Sequence, residues 1–183
     1  RFYALVETID EDASNKERSL SSHYWLSPRY AVKMLHYTAD IMIEKDPLNQ
    51  RVYLINLQKA EDTLSRDNKR WNESLIQARR SNKNIAVDEA GSKDLFDAFL
   101  LSPPLVINGA LGVRWSSLKA TKENPLSCIL LTHNTPKSMA QIARKTEASL
   151  VEADILGLQL TPSKNLYTRM IEKLVRQLRD CLT

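Results

Sequence analysis

Apolar and polar positions change rhythm several times along the chain. From Ser19 to Ser27 they alternate, with Leu20, Tyr24 and Leu26 on one parity and Ser21, His23, Trp25 and Ser27 on the other. Alternation is the signature of a short amphipathic strand, because successive side chains point to opposite faces. The rhythm then turns helical. Ser27-Pro28 reads as an N-cap followed by proline in the first helical position, and Ala31, Met34, Leu35, Thr38, Ile41 and Met42 recur at helical spacing. This predicts a helix from about Pro28 to Glu44. Asp46-Pro47 repeats the start signal. Leu57, Leu64, Trp71 and Ala78 lie seven apart, predicting a long helix that runs toward Ser81 with a narrow apolar stripe.

Beyond Ser81 the pattern is shorter-ranged. Residues 81–91 are polar and read as a connection ending at Gly91. Ser92 is a candidate N-cap for a short helix that buries Leu95, Phe96, Phe99 and Leu100, and Pro103-Pro104 stops it. Leu105 to about Lys119 reads as another helix. Ser127–Leu131 is apolar but too short to separate helix from strand. Thr135-Pro136 and Thr161-Pro162 each match the N-cap-plus-proline start. They predict a helix through about Leu150 and a final helix with Leu166, Met170, Leu174, Leu178 and Cys181 on one stripe. Arg1-Phe2-Tyr3-Ala4-Leu5-Val6 is β-prone, and residues 10–19 read as a loop.

The expected fold class is therefore mainly α with a short N-terminal strand. A lone strand needs a partner, and a second copy of the same strand would supply one. The result is a ribbon-helix-helix-like dimer with additional C-terminal helices. All 183 residues fit one domain, with 19–83 as the DNA-binding part and 84–183 as a helical body.

Charge sharpens that picture. The net charge is +4, and residues 16–83 carry thirteen basic and eight acidic groups. The positive surplus thus concentrates around the strand and the first two helices, as a polyanion partner would require; a solvated helical surface explains the same distribution. In the ribbon reading, Ser21, His23 and Trp25 face base edges in the major groove. Arg18, Arg29 and Lys33 meet phosphates, as do Asn49, Gln50 and Arg51 at the second helix start. Reversed parity would instead turn Leu20, Ser22, Tyr24 and Leu26 outward, making the strand a dimer seam.

Other chemistry finds little footing. His23, His36 and His133 lack partners at metal-ligand spacing, and four glycines could hardly build a phosphate loop. No enzyme, cofactor or metal is expected. Cys128 and Cys181 are far apart in sequence and read as reduced thiols of a cytoplasmic protein. No apolar run approaches the roughly 18 residues that span a membrane, and no secretion signal is visible. The chain opens on Arg1 rather than Met, so an N-terminal piece is expected to precede it.

Three segments carry a resemblance. They are His23-Tyr24-Trp25-Leu26-Ser27-Pro28-Arg29-Tyr30-Ala31, the Asp46-Pro47-Leu48 start leading into Leu54-Ile55-Asn56-Leu57, and Leu130-Leu131-Thr132-His133. In this order they resemble AcaB-like transcriptional regulators of conjugative plasmids and integrative conjugative elements, over roughly residues 19–160. The resemblance departs at Trp25 and Pro28, where more polar residues are expected. It implies a homodimeric activator of conjugation genes that binds promoter double-stranded DNA. The helical body would then serve dimerisation or contact RNA polymerase. The alternative from the residues alone is a helical adaptor or scaffold that binds protein partners.

Overall fold

The computed structural model describes residues 23–87, 93–106, 125–132, 143–144 and 146–183. A 3-10 turn at Tyr24–Leu26 leads into helix α1 (Pro28–Lys45), and a second such turn, Pro47–Asn49, joins it to helix α2 (Gln50–Ser74). A 3-10 turn at Ala78–Arg80 precedes strand β1 (Asn84–Val87). Helix α3 (Lys93–Ala98), β2 (Leu105–Val106), β3 (Leu126–Leu131), β4 (Ser149–Glu152) and helix α4 (Leu166–Leu182) follow. The strands form one sheet in the order β2-β1-β3-β4, and every neighbouring pair is parallel.

This overturns the ribbon-helix-helix-like dimer. The four strands of the sheet come from one chain, and the chain is α/β. Tyr24–Leu26 forms a 3-10 turn in place of a strand; the amide of Leu26 donates to the carbonyl of His23 at 2.9 Å and that of Ser27 to Tyr24 at 3.2 Å. The reason is local. Pro28 fixes φ for the helix start, and the aromatic run just before it buries against the core instead of pairing. Residues 1–22, with Arg18, Ser21 and the β-prone run Arg1–Val6, lie outside the described residues.

A parallel sheet is covered on both faces, so its strands read as short continuous apolar runs rather than as alternation. Ile85 and Val87 of β1 and Cys128 and Leu130 of β3 face one core, which is completed by Trp71, Leu75, Phe96, Phe99 and the buried stripe of α4. Ala86, Leu126, Ile129 and Leu131 face a second, smaller core with Ala143 and Ala148. Pairing shifts by one residue between Asn84 and Ile85, so Ser127 bulges and Leu126 shares a face with Ile129.

The polar connection expected over 81–91 contains β1, and the helix expected through Leu150 gives way to β4 at Ser149. Leu105 and Val106 belong to β2 rather than to a helix, and the remainder of that expected helix lies outside the described residues. The expected reduced thiols form a disulfide that pins α4 to β3, with Cys128 and Cys181 separated by 53 positions in sequence. Ser127 Oγ donates to the carbonyl of Cys181 beside it. Among the described residues no helix is long and apolar enough to cross a membrane.

Candidate functional site

Strand order places the site. From β1 the chain proceeds to β2 on one side of the sheet, while β3 and β4 extend on the other. The direction reverses between β1 and β3. In open parallel sheets the crevice outside the carboxyl ends of the strands, at such a reversal, is where ligands are held.

The turn carrying His23 lies along this edge. Leu26 is fully buried in the same core as Val87, the last residue of β1, and Ala153, the first residue after β4. The turn also packs on α3, which follows β1 in the chain. Trp25 Nε1 donates to the carbonyl of Ile155, three positions beyond β4, at 2.9 Å. Tyr167, near the start of α4, donates its hydroxyl to the carbonyl of Trp25 at 3.0 Å. Burial raises the Tyr167 phenol far above its ordinary range. It therefore stays a neutral donor.

His23 is buried at 8% exposure, and its ring lies edge-on to Trp25 at 5.0 Å between centroids. Asp154, also buried, terminates the same edge. Its Oδ1 accepts from the amide of Leu158 and its Oδ2 from that of Gln159, each at 2.8 Å. Gly157 adopts φ +71° within that turn, a conformation in which a Cβ would be strained. Asp154 thus shapes the turn.

The residues expected to read DNA do not converge. His23 and Trp25 are folded into the protein, and the Trp25 indole points to Ile155 rather than outward. Arg29 is exposed and Lys33 half-buried, both in the first part of α1. Asn49, Gln50 and Arg51 lie at the α1–α2 corner, where Asn49 donates to Asp46. A helix the length of α1, at about 1.5 Å per residue, puts that corner roughly 25 Å from the His23 turn. Arg18 and Ser21 lie outside the described residues.

His23 is the buried histidine among the described residues; His36 is exposed and pairs with Glu61 at 2.5 Å. The described residues gather no group of three or more His, Cys, Asp or Glu into a metal cage. In the sequence, Asp88 and Glu89 follow β1 directly and His133 comes two positions after β3, outside the described residues. Sequence reasoning missed Ile155 and Tyr167, because contacts across 130 and 142 residues leave no local signal. It also missed Asp154, whose spacing to Gly157 is a legible turn signal.

The sequence model of the family described as "ZnuA: Zinc-uptake complex component A periplasmic" matches residues 3–181. This chain belongs to the ZnuA family. A ZnuA crystal structure superposes with a TM-score of 0.75 at 21% identity, covering 93% of this chain and 63% of that one. The solute-binding protein FpvC of Pseudomonas aeruginosa with Mn2+ gives 0.71 at 17% identity, covering 98% and 75%. The metal-dependent lipoprotein YcdH of Bacillus subtilis gives 0.72 at 18%, covering 95% and 69%. No curated protein matches the chain in sequence. The chain thus spans under two thirds of the ZnuA structure's length.

Membership overturns the likeness to AcaB-like regulators. With it go conjugation-gene activation, promoter DNA and RNA polymerase as partners, and the adaptor alternative, because the matched family is described by zinc uptake and not by DNA reading or scaffolding. The cytoplasmic expectation falls as well. The family is described as periplasmic, and the Cys128–Cys181 disulfide suits an oxidising compartment.

Proposed function

We propose that this chain captures a divalent transition-metal ion, zinc above all, outside the cytoplasm for the other components of an uptake complex. The observation that carries this is the match of residues 3–181 to the zinc-uptake family. The neighbours support it: FpvC is solved with Mn2+, and an AdcAII variant of Streptococcus pneumoniae with Zn(II). The metal is cargo, and the role is binding and release rather than catalysis.

The chemistry of the edge fits. Neutral imidazole is a favoured zinc ligand. His23 is a buried imidazole beside the carboxyl ends of parallel strands, the place where open parallel sheets hold ligands. Asp88, Glu89 and His133, close in sequence to the ends of β1 and β3, carry side chains of metal-ligating type. Both cysteines are consumed by the disulfide, so thiolate ligation has no donor.

Zinc titration of the full chain against a competing chelator tests the reading. His23→Ala is expected to weaken zinc binding at least about tenfold, since even residues supporting a ligand cost that much. His36→Ala, on the exposed α1–α2 pair, is expected to leave affinity unchanged. Equal affinity for His23→Ala and the unaltered chain would remove His23 from the site.

A further inference from the structure

We propose that Trp25 is a positioning residue for His23 as a metal ligand, and that Tyr167 locks Trp25 in place. The proposal rests on His23 binding metal as argued above. Its basis is the way the short turn is fastened. A three-residue 3-10 turn with two backbone bonds has little rigidity of its own. Here it is tied at one residue to two remote elements. The Trp25 indole N–H donates to Ile155 beyond β4, and the Trp25 carbonyl accepts from Tyr167 of α4.

The same indole then meets the imidazole. The His23 and Trp25 rings sit edge-to-face at 70° with centroids 5.0 Å apart, and Tyr24 meets Trp25 at 77° and 5.7 Å. Such aromatic pairs prefer this geometry and resist rotation out of it. A ligand must be held to within about 0.5 Å of its productive place to serve a metal well. Trp25 supplies that hold on one side of His23, with the sheet edge and α4 as its foundation. The indole is thus spent inward, on the turn and on His23.

The test uses the full chain with Zn2+ for affinity and Co2+ as a spectroscopic probe, since the visible bands of Co2+ report coordination geometry. Trp25→Phe keeps an aromatic ring and removes the N–H. Tyr167→Phe removes only the hydroxyl. Both are expected to weaken Zn2+ binding, Trp25→Phe by about 10–100-fold and Tyr167→Phe by less. Both are also expected to change the Co2+ bands at saturating metal. A residue that served stability alone would leave the saturated spectrum intact.

If His23→Ala abolishes binding while Trp25→Phe and Tyr167→Phe keep the original affinity and spectrum, positioning is overturned and metal capture stands. If His23→Ala itself binds normally, the assignment of His23 falls and this proposal with it. Should Trp25→Phe fail to fold, Tyr167→Phe decides the matter alone.

Discussion

The two ends of α2 live in different surroundings. Its first half pairs with α1 in a hairpin that leaves Val52, Leu54 and Ile55 exposed, beside Ile41 and Met42 of α1 and Leu48 at 96% exposure. Its second half buries Leu64 and enters the main core through Trp71, followed by Leu75 beyond its end, with Trp71 edge-on to Phe99. Hydrophobic burial holds the second half. Polar contacts serve the first, among them the His36–Glu61 pair and the Asp46 carboxylate accepting from Asn49 at 2.8 Å and Tyr53 at 2.7 Å. One helix with one apolar stripe thus follows two different rules of stability, and only the sheet beneath it separates them.

The sharpest test of that contrast is a pair of truncations. Trp71→Ala is expected to cost about 3–5 kcal/mol, the range for removing a buried large aromatic. Leu48→Ala at the hairpin tip is expected to stay within about 0.5 kcal/mol. Chemical denaturation of both variants reads the difference, and equal losses would break the comparison.

The disulfide comes next. Closing a loop of this length constrains the unfolded chain by about 4 kcal/mol in the entropic treatment. Paired Cys128→Ser and Cys181→Ser replacement should lower the unfolding free energy, read by chemical denaturation, by a comparable amount. The loss should fall on the α4 side of the molecule: hydrogen exchange should rise in α4 and β3 before it rises in the α1–α2 hairpin.

The smallest effect belongs to the hairpin junction. Hydrogen bonds from Asn49 and then Tyr53 lower the Asp46 pKa below its ordinary 3.8. A depressed carboxyl contributes stability that is present above the unfolded value and lost as pH falls through the folded one. The advantage of the unaltered chain over Asp46→Asn should therefore hold at neutral pH and shrink as pH drops below 3.8. A gap that widened on acidification would refute the assignment. The same Asp46 bond raises the Tyr53 phenol, the matching sign for its partner.

Much of the helical content was legible. Ser27-Pro28 and the apolar recurrence after it mark α1, and the seven-residue spacing of Leu64 and Trp71 marks the buried stripe of α2, which ends at Ser74, short of the expected Ser81. Met170, Leu174, Leu178 and Cys181 are all buried on α4, on the stripe read from their spacing. The Thr161-Pro162 start was misplaced, since α4 begins at Leu166. The sheet was less legible. Ile85-Ala86-Val87 offers three apolar residues in a polar stretch, and Leu126–Leu131 lacks alternation because both of its faces are covered.

The site was least legible of all. His23 stood out as a residue of interest but was given the wrong partner, because alternation over nine residues mimics a strand as easily as it describes an aromatic turn before a proline. By itself, then, the sequence determined α1, the buried stripe of α2, the inward face of α4 and the chemical repertoire of three histidines and two cysteines. Periodicity and capping are local, so they survive in the order of residues. Tertiary structure decided that the chain is built on a parallel sheet, that the two cysteines join, and that the turn carrying His23 is fastened beside the sheet through Trp25, Ile155 and Tyr167. Those facts depend on contacts between residues far apart in the chain, and such contacts exist only once the core has closed.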